Sequence, residues 1–508
     1  MSSVIHTEPI SATSPQTSVE VWFRRVLCVG SVIAGLGLLC SFALLTWARN
    51  EFSGPESIVN AQSVMLARDG TLYYDLNSYP HTVSAYTPLF YLLETGLIKV
   101  GLPAVTAGRL LSFAALLGIF ALIWRLLLLY TRDRYCAWTG VLLGASTSLL
   151  LTWGTVGQVD TLAIFWALAA FYQYSRYAIN GERTLVWAGV FCGIAFFTKQ
   201  TTIACPAAIV ILLWFQRPKA ALQFGATLAA AVLALALAIN AALNGRFLQD
   251  TVLANLNPFD LKKFGLHIRY LFAAAGQLIL IAAAGIKRVR YGRGFAPFVY
   301  LGMALMVFAA TAPKIGSDFN YQIESNVLLV LCACLALNAL DFFPLTFRGS
   351  KNWITLLQIP LAIHLVVNFR ITENLLLTRF ATEQLFRTQV AGLAPYAADG
   401  GRLLSTDFNA MARLRGYIEV EPLIYKLLAG ARVVNPEPLR RDIAAEKFST
   451  IFLFQDVHEH DANLDVEVST FLPEQTQEIE KHYKLVAQIP GPYLNGIYVY
   501  KPASRSAE

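Results

Sequence analysis

Stretches of about 20 apolar residues recur along the first three quarters of the chain, and they restrict it to a bundle of membrane-crossing helices. The runs lie at roughly 26–48, 105–130, 136–153, 160–178, 185–198, 201–216, 219–242, 268–286, 294–312, 324–341 and 353–370, about eleven by the length rule. Composition agrees. The 508 residues are 56% hydrophobic and 14% charged, with a mean hydropathy of +0.51. A soluble domain carries about 25% charged residues. The first run is long, about 20 polar positions precede it, and no clean small-residue cleavage site follows, so it reads as a span rather than a removable signal peptide.

Charge placement orients the bundle. Basic residues close alternate ends of the runs: Arg24 and Arg25, Arg132 and Arg134, Arg176 and Arg183, Arg217 and Lys219, Lys287 to Arg293, then Arg348 and Lys351. The positive-inside rule puts these in the cytoplasm. The other loops then face outward, and they hold Glu51, Glu56, Asp69, Asp75, Asp160, Asp250, Asp260, Asp318 and Glu324. An odd number of spans places the N-terminus inside and the C-terminus outside. The run 88–102 is apolar but contains Glu94 and Lys99. Counting it as a span would invert every later loop, so it reads as an interfacial or re-entrant helix on the outer face.

Three regions follow. Residues 1–23 are Ser/Thr-rich and expected to be a disordered cytoplasmic tail. Residues 24–370 form the membrane domain, with a large outer loop at 49–104. Residues 371–508 alternate short β-rich runs with charged helical stretches and read as a small extracytoplasmic α/β domain. The seven cysteines lie in or beside apolar segments and imply no disulfide framework. The run His458-Glu459-His460-Asp461 lacks metal-ligand spacing and reads as a solvated loop. No internal repeat is evident.

Four polar groups stand out, since ionisable side chains at membrane depth are costly and functional by default. Glu56, in GPESIVNAQ, opens an amphipathic helix just past the first span. It is either a catalytic carboxylate or an acid complementing the helix dipole. Asp160, in WGTVGQVDTLAIFW, starts a span on the outer face, and a helix-start acid is again the plain alternative. Lys199 and Gln200 form a polar break between two short helices. Lys199 either snorkels or holds a phosphate as a point charge, and Arg109 in AGRLLS is a similar case. In KIGSDFNYQIES, Lys314, Asp318, Asn320, Tyr321 and Glu324 crowd one outer loop, with Asn320 and Glu324 on one helical face. This is a cavity wall or an ordinary wet loop end. All four groups fall on the same face by an assignment made from basic residues elsewhere. Carboxylates with Lys and Arg at headgroup depth suit a phosphate-linked lipid donor and a hydroxyl acceptor.

The order of these features resembles the GT-C class of polytopic glycosyltransferases, in particular the branch of protein O-mannosyltransferases and the lipid A aminoarabinose transferase. The resemblance rests on Glu56, the helix to Gly70, Tyr73-Tyr74, TPLFYLL at Thr87–Leu93, Arg109-Leu110-Leu111-Ser112, Asp160, Lys199, and Gly316 with Asn320, Tyr321 and Glu324. It covers roughly residues 20–370. Many members have paired acids in the first outer loop, where this chain has Pro55-Glu56. Many have Pro-Pro before Leu-Phe-Tyr, where this chain has Thr87-Pro88. The lone acid weakens any case for a metal bridged by paired carboxylates.

What the resemblance implies is an α-helical polytopic membrane enzyme with a small α/β C-terminal domain, in a bacterial inner membrane. It would move a sugar from a polyprenyl-monophosphate donor to a hydroxyl on a glycan, lipid or protein acceptor, by an inverting single displacement. Glu56 is the expected general base. Lys199, with Arg109, is expected to meet the leaving phosphate. Asp160 and Glu324 would orient the sugar, with Gln200, Asn320 and Tyr321 beside them, and Tyr73, Tyr74 and Tyr86 would stack on sugar rings. Neither a cofactor nor a metal is expected, and no nucleic acid partner. A transporter or flippase is the competing reading, and a membrane scaffold displaying the outer domain is a third.

Overall fold

A computed structural model describes residues 53–289, 293–340, 352–458, 471–491 and 496–505, with Phe342 and parts of 25–51. The tail 1–23 and the residues 459–461 of the His/acid run lie outside the described residues. The expected spans fall largely on helix where they are described, but 136–153 is divided at Thr147 and 201–216 becomes helical only at Ala204. After the helical stretch at residues 32–40 come α1 (Gly54–Asp69), α2 (Leu89–Lys99), α3 (Ala104–Thr131), α4 (Arg134–Ser146), α5 (Ser148–Thr152), α6 (Val159–Asn180), α7 (Leu185–Thr198), α8 (Ala204–Gln216), α9 (Pro218–Ala242), α10 (Arg246–Thr251), α11 (Leu261–Val289), α12 (Ala296–Thr311), α13 (Ile323–Ala339) and α14 (Asn352–Ala397). Among the described residues, four helical segments are long and apolar enough to cross a membrane: Ala104–Thr131, Pro218–Ala242, Leu261–Val289 and Phe319–Ala339. Helices α7, α8 and α12 are apolar but shorter.

Local signals set the boundaries. Ser53 caps α1, its hydroxyl accepting the Glu56 N–H at 3.3 Å, and Gly70 ends the helix in the left-handed region with φ +69°. Asp133 caps α4 through the N–H groups of Tyr135 and Cys136. Apolar residues all round α13 bury it at the centre of the main core. Gly285 of α11 lets that helix come against α13, since a Cβ there would stand 2.4 Å from the Ala336 Cβ. By contrast α9 is nearly all exposed, a face left to lipid. The run at 88–102 forms α2, an 11-residue helix too short to span, with Phe90, Tyr91, Glu94 and Thr95 turned inward.

Helix α14 continues for 46 residues, passing residue 370 without a break. Beyond it lie β1 (Leu403–Ser405), α15 (Phe408–Arg415), α16 (Pro422–Gly430), α17 (Glu437–Ala444), β2 (Thr450–Leu453), α18 (Pro473–His482), β3 (Tyr483–Ile489) and β4 (Ile497–Pro502). The strands form one sheet in the order β1-β2-β4-β3, parallel between β1 and β2 and antiparallel elsewhere. The segment 79–86, between α1 and α2, reaches this unit. The His81 N–H donates to Glu419 O, and the Glu421 N–H donates to His81 O, both at 2.9 Å.

Candidate active site

Two buried ion pairs lie at one end of the helix bundle. In the first, Arg109 of α3 grips Glu56 of α1 through both carboxylate oxygens, at 2.8 and 2.9 Å. The Gly157 N–H adds a third donor at 2.8 Å, and Arg109 also donates to Ala48 O at 2.7 Å. Side-chain exposure is 1% for Arg109 and 0% for Glu56. The crossing is close: a Cβ on Gly157 would stand 3.1 Å from the Gly108 backbone and 3.2 Å from Glu56 Oε1.

In the second pair, the Lys199 ammonium donates to Asp160 Oδ1 at 2.5 Å, and Asn320 donates to Asp160 Oδ2 at 3.0 Å. The Lys199 cation also lies 4.5 Å from the Tyr321 ring centre and 5.6 Å from that of Tyr86. Gln158 joins the two pairs, donating to Ser53 Oγ at 2.9 Å and facing Asn320 at 3.4 Å. Glu324 accepts from the Tyr300 hydroxyl at 2.6 Å nearby.

Beside this network lies a cavity of about 530 Å³. Its walls are α1, the loop around Val83–Tyr86, the segment 251–257, the turn 311–318, and Glu421 with Leu423 and Ile424 of the C-terminal unit. Lys314 is set in the wall by a short antiparallel pairing in which Ile315 N–H meets Pro258 O at 2.9 Å and Asp260 N–H meets Pro313 O at 2.7 Å. Lys263 and Asp318 stand on the same side. Burial depresses the Lys314 ammonium below its usual range. Tyr91 Oη and Gln200 Oε1, both on lining residues, have no protein partner. Such polar atoms suit a polar ligand.

The cavity adjoins two further spaces. Thr201, Thr311 and Tyr321 line both it and a small void of about 30 Å³ that also touches Asp160, Lys199, Asn320 and Glu324. Thr202 is shared between that void and an almost wholly apolar groove of about 440 Å³ between α7, α8 and α9.

The expected residues therefore separate. Asp160, Lys199, Asn320, Tyr321, Tyr86, Gln200 and Glu324 converge. Gln200 donates to Ala85 O at 2.7 Å and Thr251 O at 3.0 Å while lining the cavity. Four do not take the expected places. Glu56 lies in a buried ion pair with three donors on its carboxylate, and its neighbour Pro55 is the residue that lines the cavity. Arg109 lies in the same pair. Tyr73 supports the loop, its hydroxyl donating to Tyr86 O at 2.9 Å. Tyr74 points to Asp69 at the surface. Neither lines the cavity. Lys199 is present, but its charge is already matched by Asp160. Sequence reasoning did not single out Lys263 or Glu421. The one local signal for Glu421 was an acid preceding a proline at a helix start.

Comparisons with known proteins agree with this architecture. A family model described as dolichyl-phosphate-mannose-protein mannosyltransferase matches residues 86–242. No curated protein matches by sequence. The crystal structure of ArnT from Cupriavidus metallidurans bound to undecaprenyl phosphate is similar over 94% of this chain and 97% of that one, with a TM-score of 0.62 and 12% identity. The Archaeoglobus fulgidus oligosaccharyltransferase in the apo form is similar over 91% and 73%, with a TM-score of 0.54 and 12% identity. At such identities the likeness is one of fold. The chain is a polytopic helical membrane protein with the fold of the GT-C glycosyltransferases, and its residues 86–242 match the dolichyl-phosphate-mannose-protein mannosyltransferase family.

Proposed function

We propose that this protein is a membrane glycosyltransferase that takes a sugar from a polyprenyl-monophosphate donor and passes it to a hydroxyl acceptor by an inverting single displacement. One observation carries the reading: an apolar groove and a cavity with charged and polar side chains in its wall lie on either side of one small void, which shares Thr202 with the groove and Tyr321 with the cavity. An amphiphile whose tail is hydrocarbon and whose head is a phosphorylated sugar matches that sequence of surfaces. The isoprenoid lies in the groove. The sugar lies in the cavity, among Tyr86, Gln200 and Tyr321. The acceptor oxygen attacks the anomeric carbon, the bond to the phosphate oxygen breaks, and the electron pair leaves with the lipid phosphate. Lys314 and Lys263 stabilise that developing charge in a partly dehydrated site. The Asp160–Lys199 pair supports Tyr321 and Tyr86 from behind.

Transfer of label from a panel of polyprenyl-monophosphate sugars by the purified protein in proteoliposomes, with host envelope lipids and glycans as acceptors, tests the reaction. Absence of transfer from every donor would end this reading. Filling the groove gives a separate check. Ala207→Trp is expected to weaken binding of long-chain polyprenyl phosphate at least about tenfold, by native mass spectrometry, since overfilling a packed site costs about 1–3 kcal/mol. A short-chain phosphate should bind that variant as it binds the wild type. Orientation belongs to the proposal as well. A reporter at residue 134 is expected in the cytoplasm and one at residue 257 or the C-terminus outside. The reverse would put the cavity on the wrong side of the membrane for this donor path.

A further inference from the structure

We propose that Glu421, contributed by the C-terminal unit, is the carboxylate that takes the acceptor proton, a role that rests on the transfer reaction proposed above. A displacement by a hydroxyl needs a proton acceptor at the wall where the acceptor enters. Helix α1 brings none: its cavity-lining residues include Pro55, Ile58 and Gln62, and none of its lining residues is ionisable. Glu56 is turned away into the pair with Arg109. The acids that do line the cavity are Asp318 and Glu421. Asp318 is a helix cap, its carboxylate accepting the Phe319 N–H at 2.7 Å. Glu421 is different. It also stands at a helix start, that of α16, but its side chain makes no cap hydrogen bond; its backbone is locked to His81, and its carboxylate meets the Val83 N–H at 3.4 Å and the Thr82 hydroxyl. It stands beside the cavity face of α1, because Gln62 donates to Val83 O at 2.7 Å and to Thr82 Oγ1 at 3.2 Å.

The surroundings suit the task. Glu421 is 5% exposed. Burial, opposed by hydrogen bonds from Val83 and Thr82, raises its carboxyl to about 7, near the pH at which a base is most useful. The titratable groups facing it are Asp250 of α10, Tyr86 and Tyr91, with His81 on the paired strand segment. Asp250 holds the next amide of the same loop, the Ser84 N–H, at 3.0 Å, and is itself raised to about 8 by burial, with Glu421 adding to it. In the step, the acceptor O–H bond breaks and its proton goes to a Glu421 oxygen. The oxygen–carbon bond to the sugar forms as the carbon–phosphate oxygen bond breaks. The lipid phosphate leaves with that electron pair, and no further reactant is required.

The test is single-turnover transfer by the full-length protein in proteoliposomes, from pH 5 to 9, using whichever donor of the panel the wild type consumes. Wild-type transfer should rise with pH through about 7, because the base must be deprotonated. Glu421→Gln keeps an acceptor for the Val83 N–H but takes no proton. It should bind donor normally, lose about 10²–10⁴-fold in transfer rate, and lose the acid limb. Glu421→Asp should retain a fraction of the rate with the limb present, which serves if the Gln variant folds poorly. A Glu421→Gln rate within about threefold of wild type would overturn the assignment and leave the transfer reaction standing. Loss of the limb in Asp318→Asn, with Glu421→Gln unaffected, would move the role to Asp318. Absence of transfer by the wild type would instead remove the reaction itself.

Discussion

Glu56→Gln should unfold far more readily than the wild type while whatever transfer it retains keeps the wild-type acid limb. The substitution removes the negative charge from a pair that is buried on both sides, and leaves the Arg109 guanidinium without its counter-ion. Breaking such a pair from one side costs about 3–5 kcal/mol, chiefly because the remaining charge is stranded in low dielectric. The paired replacement Glu56→Leu with Arg109→Leu should recover much of the loss, since two apolar side chains strand nothing. Thermal unfolding in nanodiscs, read beside the pH dependence of transfer, decides the matter. A native midpoint together with a vanished acid limb would return Glu56 to the role of base.

Replacing both Lys263 and Lys314 by Ala should lower transfer by about 10²–10³-fold, the usual cost of removing a donor aimed at developing negative charge. The bundle should remain folded, because Lys263 is only partly buried and Lys314 makes a single long contact, 3.3 Å to Asn255 O. Lys199→Ala should behave in the opposite way. It strands Asp160, so its main deficit should be in stability. Donor kinetics near wild type in the double variant, with a folded Lys199→Ala protein that no longer uses donor, would assign the phosphate to Lys199 instead.

The contrast shows how far one dimension of information reaches. Apolar runs and alternating basic loops place the helices and bring Asp160, Lys199, Asn320 and Glu324 to one face, because each depends on a local rule: span length, charge asymmetry, or the start of a helix. The direction in which Glu56 points obeys no local rule. It is decided by Arg109, 53 residues on, and by the backbone of Gly157, 101 residues on. From α1 alone, Pro55 and Glu56 are adjacent positions of equal standing. Only the neighbouring helices settle which one meets the cavity. Glu421 is more remote still, since the amide it faces lies 338 residues earlier. The domain boundary at 370 illustrates a related effect. Charged residues such as Arg370, Glu373 and Glu383 signal water, yet they are good helix formers, so α14 carries on through them.

That uninterrupted helix has a mechanical meaning. At about 1.5 Å per residue its 46 residues extend roughly 69 Å, whereas the hydrocarbon layer is only about 30 Å thick. More than half of its length therefore exceeds that thickness, and this part is packed along the chain: Arg379 donates to Thr152 O, Glu383, Gln389 and Leu393 are buried, and Pro360 and Pro395 lie within the helix. A flexible tether would let the sheet drift. A helix packed in this way ties the sheet to the bundle, so the Glu421 that it carries keeps its place beside the Val83 amide.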